Sequence, residues 1–266
     1  MIKNVLSTFV CIWVLFFECC SRGNTNESTS KYQMKSFTKE FGECGSLSNY
    51  CVSVKINYPF FTATKNPVIK DSLNSQIDRM ILQPVFEWKI NSLEKLADSL
   101  IADYKKLKTE FPDIPIRYEL ERRINVILNK GNIISLEFKE YSFLGGAHPN
   151  SLMNFINLNI RTGQKIALDQ LFKKGFEEEL NLIGEKKFRE ARQLNLEDNL
   201  EKSGFWFKEN KFSLTSNFLI TQAGLKFFFN DYEVAPHAIG PTEIFISYNE
   251  IKYMINNEGL LSSFIE

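Results

Sequence analysis

Alternation of apolar and polar side chains predicts β-strands in three stretches of the chain. In residues 50–58 the apolar side chains occupy the even positions, which is the period of a half-buried strand. The same period runs through residues 116–128 and resumes in residues 134–138. The segment Asn129-Lys130-Gly131-Asn132 between them is typical of a hairpin turn, since glycine is suited to positive φ. Neighbouring strands with one polar face predict an antiparallel sheet.

Apolar positions recur at helical spacing in two other stretches. Residues 71–110 carry apolar side chains every three or four positions, with Asp71 as the candidate N-cap. Pro84 either kinks this helix or opens a second one at its first turn. Residues 175–194 have the same spacing, and acidic residues 177–179 stand in the first turn, where they favour the helix dipole. The pattern therefore predicts one long helix in each half of the chain.

Residues 141–172 connect the two halves and organise the rest of the chain. A strand runs into a tight corner at Gly145-Gly146-Ala147-His148-Pro149, and a second strand leaves it. A turn at residues 161–164 then directs the chain towards the second helix. We expect His148 to be structural, with its ring bonded to nearby backbone so that the corner is fixed.

The C-terminal part adds strands around one unusual loop. Strands are predicted at residues 212–220, 225–229 and 244–248. The loop at residues 230–241 is long for a strand connection and is stiffened by two prolines. It either presents a defined surface or serves as a demanding crossover that closes the fold.

These elements predict an α+β fold with antiparallel sheets, packed with a long helix in the N-terminal half and a second helix in the C-terminal half. At 266 residues the chain is long enough to bury a large core. The predicted divisions are a signal peptide at 1–19, a tether at 20–36, a smaller N-terminal α+β part at 37–140 and a larger C-terminal α+β part at 141–266.

The N-terminal residues indicate export. The apolar run at residues 5–17 has the length of a signal-peptide core and is shorter than a membrane-spanning helix. Cys19 and Cys20 follow it and precede a polar tail, an arrangement similar to a bacterial lipoprotein signal, with Cys20 favoured as the acylated residue and Cys19 left open. An ordinary cleaved signal or an uncleaved anchor remains the alternative. Each interpretation predicts a body outside the cytoplasm, in the periplasm or at the cell surface.

Cys44 and Cys51 lie in the exported body, on either side of a turn-like segment. In an oxidising compartment such a pair predicts a disulfide, and two unpaired thiols are the alternative. Two cysteines alone make a poor metal site, because structural zinc takes four nitrogen or sulfur ligands.

Charge and motif spacing exclude several classes of function. The 32 basic and 32 acidic residues cancel, and the basic pairs stand beside acids, so nucleic-acid binding is not expected. His148 and His237 lack the spacing of a metal site, and no serine has the setting of a nucleophile elbow. We expect no metal, no cofactor and no catalytic residue, although a converging carboxylate pair is left open.

The chain resembles the RsiV-type extracytoplasmic domain, a family that includes the lysozyme-sensing part of an anti-sigma factor and the N-terminal region of some peptidoglycan deacetylases. The resemblance covers roughly residues 45–255. Its motifs are Gly145-Gly146-Ala147-His148, Thr162-Gly163-Gln164-Lys165, Leu168-Asp169-Gln170-Leu171-Phe172, the stretch 221–229, Tyr232-Glu233-Val234-Ala235-Pro236 and Gly240-Pro241.

This resemblance implies an α+β fold and a surface that binds a protein partner such as lysozyme. The residues it places at that surface are Tyr232, Pro236, His237, Gly240, Pro241 and His148. Four residues before the apolar run cannot form an anti-sigma domain, so we do not expect sigma-factor release. The alternatives are a peptidoglycan-binding or glycan-binding accessory module, a weak cell-wall hydrolase, and a structural envelope protein without a small ligand.

Overall fold

The computed structural model describes residues 30–45, 50–64 and 66–265. The predicted signal peptide, Cys19 and Cys20 lie outside these residues. Eight strands and four α-helices follow one another in the described part, with these bounds: β1 Lys31–Glu43, β2 Tyr50–Ala63, α1 Pro67–Ile81, α2 Leu93–Glu110, β3 Arg117–Lys130, β4 Ile133–Leu144, β5 Asn150–Asn159, α3 Glu177–Arg192, β6 Phe218–Ile220, β7 Gly224–Phe229, β8 Thr242–Ser247 and α4 Tyr248–Ile251.

The first five strands form one sheet in the order β1-β2-β3-β4-β5. All neighbours are antiparallel except β2 and β3, which run parallel. Parallel neighbours need a long crossover, and α1 and α2 supply it here. The α+β class is thus confirmed, whereas the expectation of purely antiparallel sheets fails at this one strand pair.

The two crossover helices begin at capping side chains. The Asn66 side chain accepts a hydrogen bond from the Val68 amide at 3.0 Å, and Pro67 takes the first helical position. The Ser92 hydroxyl accepts from the Lys95 amide at 3.1 Å and caps α2. The predicted cap at Asp71 therefore lies inside α1, because the Asn-Pro pair starts the helix earlier.

Both helices cover one face of the five-stranded sheet. Their apolar sides meet the alternate residues of the strands, and Val54, Leu120 and Leu136 are fully buried there with Leu73 and Leu100. This burial accounts for the period of two that is visible in the sequence. The opposite face of the sheet is polar over much of its area.

The last three strands form a second antiparallel sheet in the order β6-β7-β8, with α3 packed on it. Its core is rich in phenylalanine: the Phe188 ring meets Phe205, Phe207 and Phe229 edge-on at centroid distances of 5.0–5.4 Å. β6 is shorter than the predicted strand 212–220, because residues before Phe218 form irregular structure over this core.

Asparagine side chains join the second sheet to the edge strand β5. The Asn157 amide donates to the Phe218 carbonyl at 2.8 Å and accepts from the Ile220 amide at 2.9 Å. The Asn217 amide donates to the Met153 carbonyl at 2.8 Å, and its oxygen accepts from the Phe155 amide at 2.7 Å. These side chains satisfy the backbone groups of an edge that would otherwise be unpaired.

Two predicted boundaries do not coincide with the structure. The sheet begins at Lys31, so the last residues of the predicted tether 20–36 belong to β1. Ser30 is 5% exposed and exchanges hydrogen bonds with the side chain of Asn129, near the end of β3, at 3.1 and 2.7 Å. The division at 140/141 falls inside β4, because the strands on both sides of it belong to one sheet.

The predicted disulfide is confirmed. Cys44 and Cys51 are bonded with a Cα–Cα distance of 5.2 Å, and they close the connection between β1 and β2. The crosslink holds the edge strand β1 against its neighbour at the end where the chain turns.

Candidate functional site

The corner at residues 145–149 and the loop at residues 230–241 meet in space. The rings of His148 and His237 stack with centroids 4.6 Å apart and planes 10° apart. Tyr232 stacks on the other side of His237 at 5.8 Å and 18°. The structure thus brings together three of the residues that the resemblance placed at a partner surface, and we refer to them as the ring stack.

The Nδ1 atom of each histidine has a different polar neighbour. Nδ1 of His148 lies 2.9 Å from the Pro149 carbonyl, so the ring contacts nearby backbone as expected. Nδ1 of His237 lies 3.1 Å from Oδ2 of Asp231. The other carboxylate oxygen of Asp231 is buried, with no hydrogen-bond partner among residues 30–45, 50–64 and 66–265.

Arg192, in the last turn of α3, holds the second half of the loop. Its guanidinium donates to the carbonyls of Ile239, Gly240 and Pro241 at 3.1, 2.6 and 2.7 Å. Its Nε donates to the Thr242 hydroxyl at 2.7 Å. Burial lowers the pKa of Arg192. One side chain therefore fixes the path of the chain by hydrogen bonding to four consecutive residues, 239–242.

The loop contains two residues with left-handed backbone conformation and two turn hydrogen bonds. Gly240 has φ 75° and Tyr232 has φ 62°, both in the left-handed region. Pro236 and His237 accept the turn hydrogen bonds from the amides of Ile239 and Gly240 at 2.9 and 3.0 Å. Tyr232 is 54% exposed, so the stack ends at a ring that faces solvent.

A groove of about 550 Å³ lies beside the ring stack, between the polar face of the large sheet and the loop. Asp231 and Pro241 of the loop line it, so the groove and the stack share a wall. The remaining lining residues are Lys55, Asn57, Glu121, Arg122, Arg123, Lys139, Glu140, Tyr141, Ser151, Leu152, Met153, Phe228 and Asn230.

The neighbouring arginines of β3 have different environments. Arg122 is 2% exposed; its Nε donates to Glu140 at 2.7 Å and its Nη1 to the Ile81 carbonyl at the end of α1. Arg123 is exposed and lines the groove. Successive residues of a strand point to opposite faces, which separates a structural arginine from one that is available for a ligand.

In the described part of the chain no three His, Cys, Asp or Glu residues come together as a metal-binding group. No helix in the same part is both long enough and apolar enough to cross a bilayer.

The architecture defines a class: an α+β protein in which a helix-covered five-stranded sheet is joined to a smaller three-stranded sheet, with a groove at the junction. Residues 46–151 match the family described as Deacetylase PdaC, and residues 169–249 match the Protein of unknown function family DUF3298. Together the two matches support a protein of the PdaC-type/DUF3298 domain family. The predicted family is thereby confirmed.

Similar proteins agree with this assignment. The Peptidoglycan-N-acetylmuramic acid deacetylase PdaC of Bacillus subtilis is 23% identical over 184 residues, which cover 66% of this chain and 38% of that protein. Crystal structures of DUF3298 proteins from Bacteroides fragilis and Pseudomonas aeruginosa superpose with TM-scores of 0.68 and 0.59, each at 19% identity. They cover 89% and 86% of this chain, and 98% and 96% of their own chains, and at this identity they show the fold.

Sequence reasoning missed the residues that build the groove. Arg123 stands in a strand whose period was recognised, but the face it occupies becomes a site only when the second sheet packs beside it. In the sequence, nothing sets Arg192 apart from other charged residues at the end of a helix. Only its spatial position shows that it binds the loop carbonyls, since its partners are 47–50 residues away.

Proposed function

We propose that the protein is an envelope-associated binding module without catalytic activity, whose partner is a cell-wall hydrolase such as lysozyme. The ring stack carries this proposal. It joins the corner and the loop into one surface with an exposed tyrosine, two histidines and adjacent prolines. Aromatic side chains held rigidly in this way lose little entropy on binding and are common in interface hot spots.

The Arg192 contacts also support a binding role. A loop whose carbonyls are bonded to a guanidinium is organised before the partner arrives, which reduces the ordering cost of association. The resemblance to the RsiV-type domain supports the choice of lysozyme as the first partner to test.

Binding of C-type lysozyme to the full-length chain tests this proposal. We expect His237→Ala and Tyr232→Ala to weaken binding at least about tenfold, because each removes a ring of the stack. Phe86→Ala is the matched control, since Phe86 is 41% exposed and its ring meets that of Trp88 edge-on, not a ring of the loop. Full binding by both His237→Ala and Pro236→Ala would remove the loop from the mechanism.

Peptidoglycan binding is the second candidate function, and the groove favours it. Its volume of about 550 Å³ is that of a small-molecule site, and amide, hydroxyl and charged groups line it beside Phe228 and Met153. The similar deacetylase is named for peptidoglycan N-acetylmuramic acid. Sedimentation with purified sacculi is the test, and release of acetate from those sacculi would contradict the proposed lack of catalysis.

A further inference from the structure

Arg123 stands out among the charged residues of the groove. Its side chain lies on the polar face of β3, exposed, in the middle of the lining. In the sheet register it faces Asn57 on β2 and Lys139 on β4. Arg123 and Lys139 are thus like charges directly opposite each other on antiparallel strands, an arrangement that destabilises a sheet when nothing neutralises it.

The other charged groups near Arg123 have opposite charges close by. Lys139 pairs with Glu137 at 2.9 Å, and Lys55 lies 3.8 Å from Glu40. Glu121 is the acid nearest in register, opposite Tyr141 and beside Lys55 on β2. Arg123 has neither a salt bridge nor a side-chain hydrogen bond to any residue within the described ranges. Its guanidinium therefore has donors free to pair with a carboxylate or a phosphate of a ligand.

The walls of the groove indicate what else the ligand carries. Phe228 and Met153 offer apolar surface, whereas Asn57, Ser151 and the Tyr141 hydroxyl offer hydrogen-bonding groups across the floor. A pyranose ring combines an apolar face with hydroxyl and amide groups at its edge, and one such ring with its substituents fits a site of this size.

We infer that the groove binds a sugar that bears a carboxylate, with the guanidinium of Arg123 pairing with that carboxylate. Arginine suits this role because its planar fork matches the two carboxylate oxygens. The inference names a ligand for the second candidate function and rests on it. The site is next to the ring stack, because Asp231 lines the groove and contacts His237 of the stack.

Isothermal titration of the full-length chain in mild detergent tests the inference with two sugars. N-acetylmuramic acid is N-acetylglucosamine with one added lactyl group, so the pair isolates the carboxylate. We expect N-acetylmuramic acid to bind at least about tenfold more tightly, and more weakly as salt is raised. Arg123→Gln should reduce that preference to about twofold or less, whereas the control Arg79→Gln, on the exposed side of α1, should leave it unchanged.

Three results would overturn the inference: equal binding of the two sugars, an unchanged preference in folded Arg123→Gln, or binding of N-acetylalanine as tight as that of N-acetylmuramic acid. The last result would assign the groove to a peptide carboxylate. Sacculus sedimentation separates the two proposals. Sedimentation without binding of N-acetylmuramic acid refutes the sugar-acid site and leaves peptidoglycan binding standing. Binding of N-acetylmuramic acid without sedimentation refutes binding to intact peptidoglycan and leaves the sugar-acid site standing.

Discussion

At the scale of single residues, identical side chains have different roles because their environments differ. Arg122 and Arg123 are adjacent in sequence, yet one is buried against Glu140 and the other is exposed in the groove. Period-two alternation could predict that they face opposite sides of a sheet. It could not predict which side becomes a groove, because that depends on residues more than a hundred positions later, such as Asp231 and Pro241.

Replacing Arg192 should loosen the loop. Arg192→Ala removes four hydrogen bonds from one charged donor group, and we expect a loss of about 2–3 kcal/mol in the free energy of unfolding by urea. Arg192→Lys keeps the charge but not the planar donors, so it should recover less than half of the loss. Recovery of full stability by lysine would show that charge, rather than geometry, holds the loop.

Glu250 should make stability depend on acid. The Lys187 ammonium, 2.8 Å away, and the Ser247 hydroxyl lower the pKa of Glu250 to about 2. Because the folded pKa lies below the unfolded one, this stabilisation is present above about pH 4.3 and is lost as pH falls towards 2. The carboxylate is partly exposed, so we expect Glu250→Gln to cost at most about 1 kcal/mol at pH 7.

Thermal unfolding of the wild type and Glu250→Gln between pH 7 and pH 2 measures this effect. The two melting temperatures should converge as the pH approaches 2. Glu190→Gln is the control, since Glu190 lies 3.9 Å from the same ammonium on a more exposed side chain. A difference between the two melting temperatures that persists at pH 2 would show that the ionised Glu250 carboxylate is not its cause.

At the scale of elements, sequence patterns predicted those with a strong period and missed those that depend on their neighbours. The β3–β4 hairpin was predicted because both strands alternate and Gly131 turns with φ 59°. β1 was missed because it is an edge strand exposed on most of its length, so burial leaves little mark on its sequence. The parallel pairing of β2 with β3 was missed because local periods carry no strand direction.

The seam between β5 and the second sheet should be sensitive to a single asparagine. Asn157 is 3% exposed and bonds both the Phe218 carbonyl and the Ile220 amide. Asn157→Ala leaves both groups buried without a partner, and we expect a loss of about 2–4 kcal/mol in urea unfolding. Asn154→Ala on the same strand serves as the control, because its side chain makes no hydrogen bond in the described structure. Equal losses of unfolding free energy in the two variants would mean that the Asn157 hydrogen bonds do not stabilise the contact between β5 and the second sheet.

At the scale of the whole molecule, the described residues form two hydrophobic cores, and Leu128 and Ile133 of the β3–β4 hairpin belong to the core of the second sheet. The predicted division at 140/141 placed β5 with the C-terminal part. The Gly-Gly corner connects two strands of one sheet, and Leu144 and Leu152 on either side of it pack against the same core. A sequence shows where the chain turns, but not on which side of the turn a core ends.

The proposed anchor can be tested on the intact protein. If Cys20 is acylated, a palmitate analogue fed to producing cells should label the wild type and leave Cys20→Ser unlabelled, with the protein released from the membrane fraction. Cys19→Ser should keep its label. Labelling lost only in Cys19→Ser would move the anchor by one residue, and no label in the wild type would leave a cleaved signal or an uncleaved anchor.

The hydrogen bonds between Ser30 and Asn129 have a mechanical consequence. A force applied to the chain from its N-terminal side acts on the Ser30–Asn129 hydrogen bonds before it acts on β1. Force therefore enters at the tip of the β3–β4 hairpin, in the middle of the sheet, instead of peeling away the edge. The disulfide fastens the far end of the same edge strand, so both ends of β1 are held to neighbouring strands.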